Sequence, residues 1–396
     1  MSRFLFVVPP LAGHVNPTIA VGRELDRRGH RTAWAGHRGL VAQLLPPDAR
    51  LFAAGGDEPE DETRAQHARW LNLRGLAGIK FFWEEALIPL ARTMLPGVED
   101  AVEAFSPDVL VADQQALAGA VVARRRGLPW ATSATTSAEL TRPYSALPKV
   151  DAWVRELLDA FGRECGLDAA SAAGGDLRFS DQLVVAFTTP ELMGRSDVPG
   201  SPVFVGPALG ERPHDSDFPW GWLDEGDPGM RRRRVLVSLG TLNGEAGARF
   251  YRVALEVVAA LAGSLQAIVA APPGVVGASP DNVLVRPHVP QLELLPHLDA
   301  VVSHSGHNTV CEALAHGLPL VVAPIRDDQP IVAGQVVAAG AGVQVRFGRV
   351  RAPELAGALD AVLGDPAYSA AARRIAASFA AAGGAAAAAD HLEKLA

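Results

Sequence analysis

Residues 283–335 read VLVRPHVPQLELLPHLDAVVSHSGHNTVCEALAHGLPLVVAPIRDDQPIVAGQ, and the spacing of their apolar runs decides the fold. Val283 to Val285, Ala300 to Ser303 and Pro319 to Ala323 are short and rich in β-branched residues, which suits strands buried on both faces of a parallel sheet. Helical stretches separate them, so the order predicts strand, short helix, strand, helix, strand, helix in a doubly wound α/β domain. The polar residues fall just past the strand ends. His304, Ser305, Gly306 and His307 follow the second run, then come Asn308, Thr309 and a helical pattern, Val310, Leu314 and Ala315, that closes at Gly317. A strand that turns through glycine into a helix presents backbone N–H groups and the positive end of the dipole, a setting for phosphate or diphosphate. Asn308 or Ser305 is the expected N-cap. His304 and Thr309 add side-chain donors to the same anion, and Glu312, one turn further, is placed for a ribose hydroxyl. Asp328 and Gln329 end the third strand, where ligands of open α/β sheets collect.

With 396 residues, 48% of them hydrophobic and 20% charged, the chain has room for two α/β domains with full cores. Its net charge of −8 excludes a general binder of nucleic acid or of anionic membranes, whose affinity comes from clustered Lys and Arg. Cys165 and Cys311 show no metal or redox spacing, so a reducing compartment is expected. The apolar start stops at Pro9-Pro10 and reads as a buried strand, not a signal segment. No apolar run approaches the roughly 18 residues of a membrane span. A soluble cytoplasmic protein is the expectation.

From the N-terminus, Phe4 to Val8 is the first strand and Pro9 to Val15 the loop after it. Asn16 as N-cap and Pro17 as first helical residue then open a helix with Pro17, Val21 and Leu25 on one face, closing near Gly29. PPLAGHVNP has no Gly-x-Gly-x-x-Gly, so this turn handles something other than a dinucleotide pyrophosphate. His14 lies on it. Val109 to Ala112 is a further strand, Asp113 its last residue, and Gln115 to Arg126 the following helix. In a parallel sheet His14 and Asp113 project from the same edge. A lone loop histidine more often caps a carbonyl, and Asp often opens a helix; their pairing at one edge is what gives them a catalytic reading. A carboxylate bonded to one ring nitrogen fixes the tautomer and stabilises the imidazolium formed on proton abstraction. An unperturbed histidine titrates near ~6.5, so it is largely neutral and basic at cytoplasmic pH.

Residues 57–100 begin acidic (Asp57, Glu58, Glu60, Asp61, Glu62) and turn apolar and aromatic (Trp70, Phe81, Phe82, Trp83). A second insertion, Thr135 to Ser180, reads as irregular and carries Tyr144, Leu147, Trp153 and Phe161. Residues 207–230 are rich in Pro, Gly and Asp, the composition of a linker. Arg234 to Leu239 then starts a second set of strands, and its turn, Ser238-Leu239-Gly240-Thr241, suits an anion. The Ala-rich tail from Ser369 is helical apart from Gly383-Gly384.

The ordered residues from His288 to Gln329 resemble the donor signature of family 1 glycosyltransferases, inverting enzymes of the GT-B fold. The resemblance implies α/β architecture with two Rossmann-like doubly wound domains facing across a cleft. These are an acceptor-binding domain over 1–206, a linker over 207–230, and a nucleotide-sugar domain over 231–396 whose last helix packs back on the first. His288-Val289-Pro290-Gln291 stands where the family has Trp-Val/Ala-Pro-Gln, reading base and ribose. His304-Ser305-Gly306-His307-Asn308-Thr309 stands where plant members hold the diphosphate with His-Cys-Gly-Trp-Asn-Ser. Glu312 matches the ribose-binding Glu, and Asp328-Gln329 match the pair that bonds the transferred sugar. The Gly240-Thr241 turn resembles a phosphate contact. The Gly-His-x-Asn-Pro setting of His14 resembles the catalytic loop, with Asp113 as the activating carboxylate.

The resemblance therefore implies transfer of a hexose, glucose favoured, from a nucleoside-diphosphate sugar to a hydroxyl of a small hydrophobic natural product. The insertions would wall the acceptor pocket. His288 in place of Trp leaves both UDP-glucose and a dTDP-sugar open as donor. No cofactor or metal is expected: there is no suitable Asp-x-Asp pair, and His304 with His307 lacks a third ligand. No nucleic acid or stable membrane insertion is implied, and the chain is expected as monomer or homodimer. A non-catalytic accessory homologue and a sugar-nucleotide epimerase are the rival readings; neither would glycosylate an acceptor when given UDP- or dTDP-glucose.

Overall fold

The computed structural model describes residues 1–56, 68–73, 75–167, 176–198, 202–210, 217–224, 232–240 and 247–396. These form two compact units, each built on a parallel sheet. In the first unit the strands are β1 (Arg3–Val7), β2 (Arg31–Gly36), β3 (Leu51–Ala53), β4 (Val109–Asp113), β5 (Trp130–Ala134), β6 (Val184–Ala186) and β7 (Val203–Phe204), in the spatial order β3-β2-β1-β4-β5-β6-β7. In the second they are β8 (Arg233–Ser238), β9 (Leu265–Ala270), β10 (Val283–Arg286), β11 (Ala300–Ser303), β12 (Leu320–Val322) and β13 (Gly342–Gln344), in the order β10-β9-β8-β11-β12-β13.

Both orders reverse once, between β1 and β4 in the first sheet and between β8 and β11 in the second. On either side of a reversal the following helices pack on opposite faces. The loops beyond those two strands therefore diverge and leave a crevice at the carboxyl edge.

The strands form because their side chains are apolar on both faces. In β1, Leu5 and Val7 join one core with Leu110, Ala112 and the helix Ile88–Phe105, while Phe4 and Phe6 join the opposite one with Val109, Val111 and Ala131. In β8, Val235 and Val237 face one core and Leu236 the other. Every residue of β4 and β5 is buried.

Several boundaries differ from the sequence reading. The first helix runs from Ala12 to Arg27 and contains Pro17. His14 and Val15 N–H donate to the Leu11 carbonyl at 2.9 and 3.1 Å, closing a turn before Pro17. Proline's fixed φ is helical, and its ring and missing N–H disturb the helix only at the carbonyl four residues back, so Asn16 is no cap and His14 belongs to the first helical turn.

The segment 135–180 is not irregular: Pro148–Glu164 is a helix that buries Val154, Leu158 and Phe161 on one face, the i, i+4, i+7 spacing of an amphipathic helix. Phe81–Leu87 forms a π-helical segment leading into Ile88–Phe105. The acidic run 57–62 lies outside the described residues.

The units also differ from the expected boundaries. The first comprises Met1–Pro190, Arg195–Pro213 and Ala381–Ala396, and the second Glu191–Gly194 and His214–Ala380. Within the first unit, the final helix Gly384–Leu392 packs Ala388, Ala389 and Leu392 into the core that holds Val15, Ile19 and Leu25 of the helix Ala12–Arg27. Arg28 ties them with bonds to Asp390 at 2.6 Å and Glu393 at 2.8 Å, and His30 bonds Glu393 at 2.8 Å. Of the expected linker, Trp220–Asp224 is a 3₁₀ turn whose Leu223 is buried in the second unit's core, because its Trp220, Trp222 and Leu223 carry too much apolar surface for a solvated tether.

One close approach sets how tightly a helix lies on the first sheet. A Cβ added at Gly97 would stand 2.3 Å from the Ala53 carbonyl oxygen and 2.6 Å from Ala54 Cα. Alanine gains about 1 kcal/mol of helix propensity over glycine. Overpacking costs about 1–3 kcal/mol even where side chains yield, and here the obstacle is backbone. Gly97→Ala is therefore expected to destabilise the first unit by about 2 kcal/mol or more, read as a lower guanidinium midpoint; an unchanged midpoint would show the helix free to lift.

Candidate active site

At the first reversal the structure brings His14 and Asp113 together. β4 delivers Asp113 as its last residue, with its side chain fully buried, and the first turn of Ala12–Arg27 delivers His14 with its side chain 13% exposed. His14 Nδ1 lies 2.9 Å from Asp113 Oδ1. The same carboxylate oxygen accepts from Gln115 N–H at 2.8 Å. Thr135, the residue after β5, was not singled out in the sequence, yet its Oγ1 stands 2.7 Å from Asp113 Oδ2 and 2.7 Å from His14 Nδ1. The parallel register pairs Asp113 with Ser133, so Thr135 emerges one pleat beyond, on the same side of the sheet. Nothing in sequence spacing marks it; only the adjacency of β4 and β5 does.

At the second reversal the centre is His304. It follows β11, is buried, and its imidazole is held down to about 4 from 6.5, chiefly by loss of hydration, against the opposing pull of Asp328 and of the Ser238 backbone carbonyl. Two glycines wall the ring: a Cβ at Gly240 would come within 2.7 Å of it and one at Gly306 within 2.5 Å. Gly240 has a φ of +72°, in the left-handed region that glycine tolerates. Among the described residues no group hydrogen-bonds to His304 Nδ1 or to Ser305 Oγ, both buried.

Neither Asn308 nor Ser305 caps the next helix. It runs His307–Ala315 with Gly306 as an extended N-cap that offers no side-chain bond, because any Cβ at that position would strike His304. Ser305 precedes it with a φ of +72°. Asn308 and Thr309 are half-buried in the first turn. His307 turns away from the helix start, its Nε2 3.4 Å from Cys311 Sγ.

The remaining predicted residues divide. Gln291 Nε2 donates to Glu312 Oε2 at 2.5 Å, so these two share a place. His288 is exposed and Val289 half-buried against the core. Asp328 is the N-cap residue of Gln329–Ala338 and half-buried, near enough for its charge to act on His304. Gln329 is buried, and its Oε1 accepts from Ile325 and Arg326 N–H at 2.9 and 3.2 Å. It shapes its own loop and keeps only its amide nitrogen for other partners. Thr241 lies outside the described residues. Among the described residues no group of three His, Cys, Asp or Glu side chains could hold a metal ion, and no helix is long and apolar enough to cross a membrane.

Chemically the first crevice offers a carboxylate-backed imidazole, a proton acceptor. The second offers a helix start and a neutral buried imidazole, hydrogen-bond donors for an anion.

Residues 252–395 match the family model described as erythromycin biosynthesis protein CIII-like, C-terminal domain. The chain is 30% identical over 410 residues to 4'-demethylrebeccamycin synthase of Lentzea aerocolonigenes, covering 94% of each. It is 28% identical over 402 residues to demethyllactenocin mycarosyltransferase of Streptomyces fradiae, covering 92% of this chain and 80% of the relative. In structure it is similar to the glycotransferase of kitacinnamycin, with a TM-score of 0.75 and 26% identity over 100% of this chain and 99% of the other.

The His304 environment carries a pH signature. Its folded value, about 4, lies below the free value of 6.5, so the unfolded chain takes up the proton first. The contribution to stability is complete above pH ~6.5 and declines as pH falls towards ~4, by on the order of 3 kcal/mol in all. His304→Gln is expected to flatten that part of the stability curve. Thermal unfolding of both proteins at pH 7, 6, 5 and 4.5 measures it, and parallel curves would refute it.

Proposed function

The chain belongs to the family 1 glycosyltransferases of the bacterial natural-product type, which transfer a sugar from a nucleotide sugar, and from that membership we infer an inverting hexosyl transfer to a small hydrophobic acceptor. The observation that carries this reading is the His14–Asp113 contact of 2.9 Å at the crevice of a doubly wound sheet. His14 takes the proton of an acceptor hydroxyl on Nε2. The oxygen forms its bond to the anomeric carbon while the bond from that carbon to the diphosphate oxygen breaks on the opposite face, so configuration inverts and nucleoside diphosphate leaves. Asp113 stabilises the imidazolium, and the proton passes to solvent afterwards.

Charge on the departing diphosphate is met by His304, Thr309 and the N-terminus of the helix His307–Ala315, with Gly240 against the His304 ring. One such donor is worth on the order of 3 kcal/mol of barrier. We assign the ribose to Glu312 and Gln291, which already hydrogen-bond to each other. The nucleobase goes to the exposed His288 beside Val289, with either uracil or thymine as the base.

Asp328 and the Gln329 amide nitrogen suit a hexose with free hydroxyls, glucose first. Relatives named for demethylrebeccamycin and demethyllactenocin support a natural-product acceptor. So does the aromatic content of the first unit's excursions. Cys165 and Cys311 are not joined in a disulfide, which fits a reducing cytoplasm. We propose that no resident metal takes part, protein donors serving the diphosphate instead.

Two measurements test the reading. His14→Ala should lower turnover with UDP- or dTDP-glucose by at least about a thousandfold, as loss of the general base and its alignment, while the affinity for nucleoside diphosphate by calorimetry stays within about twofold. Full activity of that variant would remove His14 as the base. Separately, chelation with EDTA should leave the rate unchanged; loss of activity restored by a divalent ion would overturn the metal-free assignment.

A further inference from the structure

Proton accounting at the first crevice identifies a third participant. Thr135 Oγ1 has one proton and two neighbours at 2.7 Å, Asp113 Oδ2 and His14 Nδ1. If that proton pointed at His14, Nδ1 would have to present a lone pair to Asp113 Oδ1, 2.9 Å away. The threonine lone pairs would then face Asp113 Oδ2. Both would be acceptor against carboxylate, with no donor between them. If the proton points at Asp113 Oδ2, both clashes vanish: His14 Nδ1–H donates to Asp113 Oδ1 and shares the Thr135 oxygen, and every short contact has one donor. Thr135 and Asp113 are each only 2% exposed, so water does not compete for these bonds. The β-branched side chain of threonine also has few χ1 states in which to place its hydroxyl elsewhere.

We propose that Thr135 is a positioning residue for the proton-accepting imidazole: its hydroxyl, donated to Asp113, confines the His14 proton to Nδ1 and leaves Nε2 as the basic nitrogen. Asp113 Oδ1 also takes the Gln115 N–H at 2.8 Å. With Thr135 on Oδ2, the carboxylate is held at both oxygens and cannot rotate about χ2. Thr135 thus acts through its neighbours, fixing ring tautomer and ring plane together. This rests on the reading of His14 as the base.

The test uses Thr135→Val, which keeps shape and removes the hydroxyl, Thr135→Ala as a second hydroxyl-free variant, Thr135→Ser, and His14→Ala, all in the full chain. With UDP- or dTDP-glucose and an acceptor found by panel screening, Val and Ala are expected to lower kcat about tenfold, the scale of one hydrogen bond. KM for donor and acceptor should stay within about twofold, and the acid limb of the kcat–pH profile should move. Ser should recover kcat to within about threefold of the parent. Wild-type kcat and pH profile in Val or Ala would overturn the assignment. A changed KM at constant kcat would make Thr135 a substrate contact, and Ser as impaired as Val at equal Tm would make the effect one of packing; either overturns it. If His14→Ala is inactive while Val is unaffected, only the role of Thr135 falls; if His14→Ala is fully active, the base assignment falls with it.

Discussion

Reversal of strand order is the constraint on which both sites depend. A parallel sheet has to cover both faces with helices, and a chain that winds outwards from one central strand pair opens a gap where winding changes direction. β1 with β4, and β8 with β11, are those pairs. His14 and Asp113 sit past the first pair, Gly240 and His304 past the second. Neither pair is close in sequence: His14 and Asp113 are 99 residues apart. Each depends on strand registry instead, Val7 opposite Ala112 and Ser238 opposite Ser303. A slip of one residue in either pairing would turn the functional side chain to the other face.

The gap alone does not hold polar groups in place, because burying them costs free energy unless each is partnered. At the first crevice the partners are local: Gln115 N–H, the His14 ring and the Thr135 hydroxyl close on one carboxylate. At the second the chain excludes side chains. Gly240 and Gly306 leave room for the His304 ring where a methyl group would overlap it, and burial keeps that ring neutral. Ser305 in the left-handed region is the backbone cost of this packing, since that conformation is unfavourable for a residue with a side chain.

Much of this was legible in the sequence where one physical signal dominated. Continuous apolar runs located four strands of the second sheet to within a residue, as with Ala300–Ser303, because strands buried on both faces tolerate little else. Asp113 could be placed at a strand end because Val109–Ala112 has no polar interruption. The failures came where two signals competed. Pro17 reads as a helix opener, yet the turn from Leu11 to Val15 forms first, and helical φ makes proline acceptable there. Asn308 reads as a cap, but the steric demand of His304 gives that position to Gly306. Pro148–Glu164 was obscured by its neighbours' composition, although Val154, Leu158 and Phe161 carry the helical period. Thr135 had no sequence signal, since a hydroxyl after a strand is common and its meaning comes from which strand lies alongside.

In the proposed assignment, the two imidazoles serve opposite needs. A proton acceptor has to tolerate becoming a cation during the reaction, and Asp113 beside His14 provides for that. A group that holds a diphosphate has to donate without having to shed a proton first, and a neutral imidazole with one N–H does so at any pH above its depressed value of about 4. Exchanging their surroundings would fail on both counts. In the proposed roles, a carboxylate bonded to His304 would repel the anion assigned to it, and a glycine-walled, desolvated His14 would resist the charge assigned to it. The final helix enters the same logic from a distance. Ala388, Ala389 and Leu392 share a core with Val15 and Ile19 of the His14 helix, and Arg28 anchors that packing to Asp390 and Glu393. Precision at the imidazole therefore draws on apolar burial more than 370 positions further along the chain, since His14 and Ala388 are numbered that far apart.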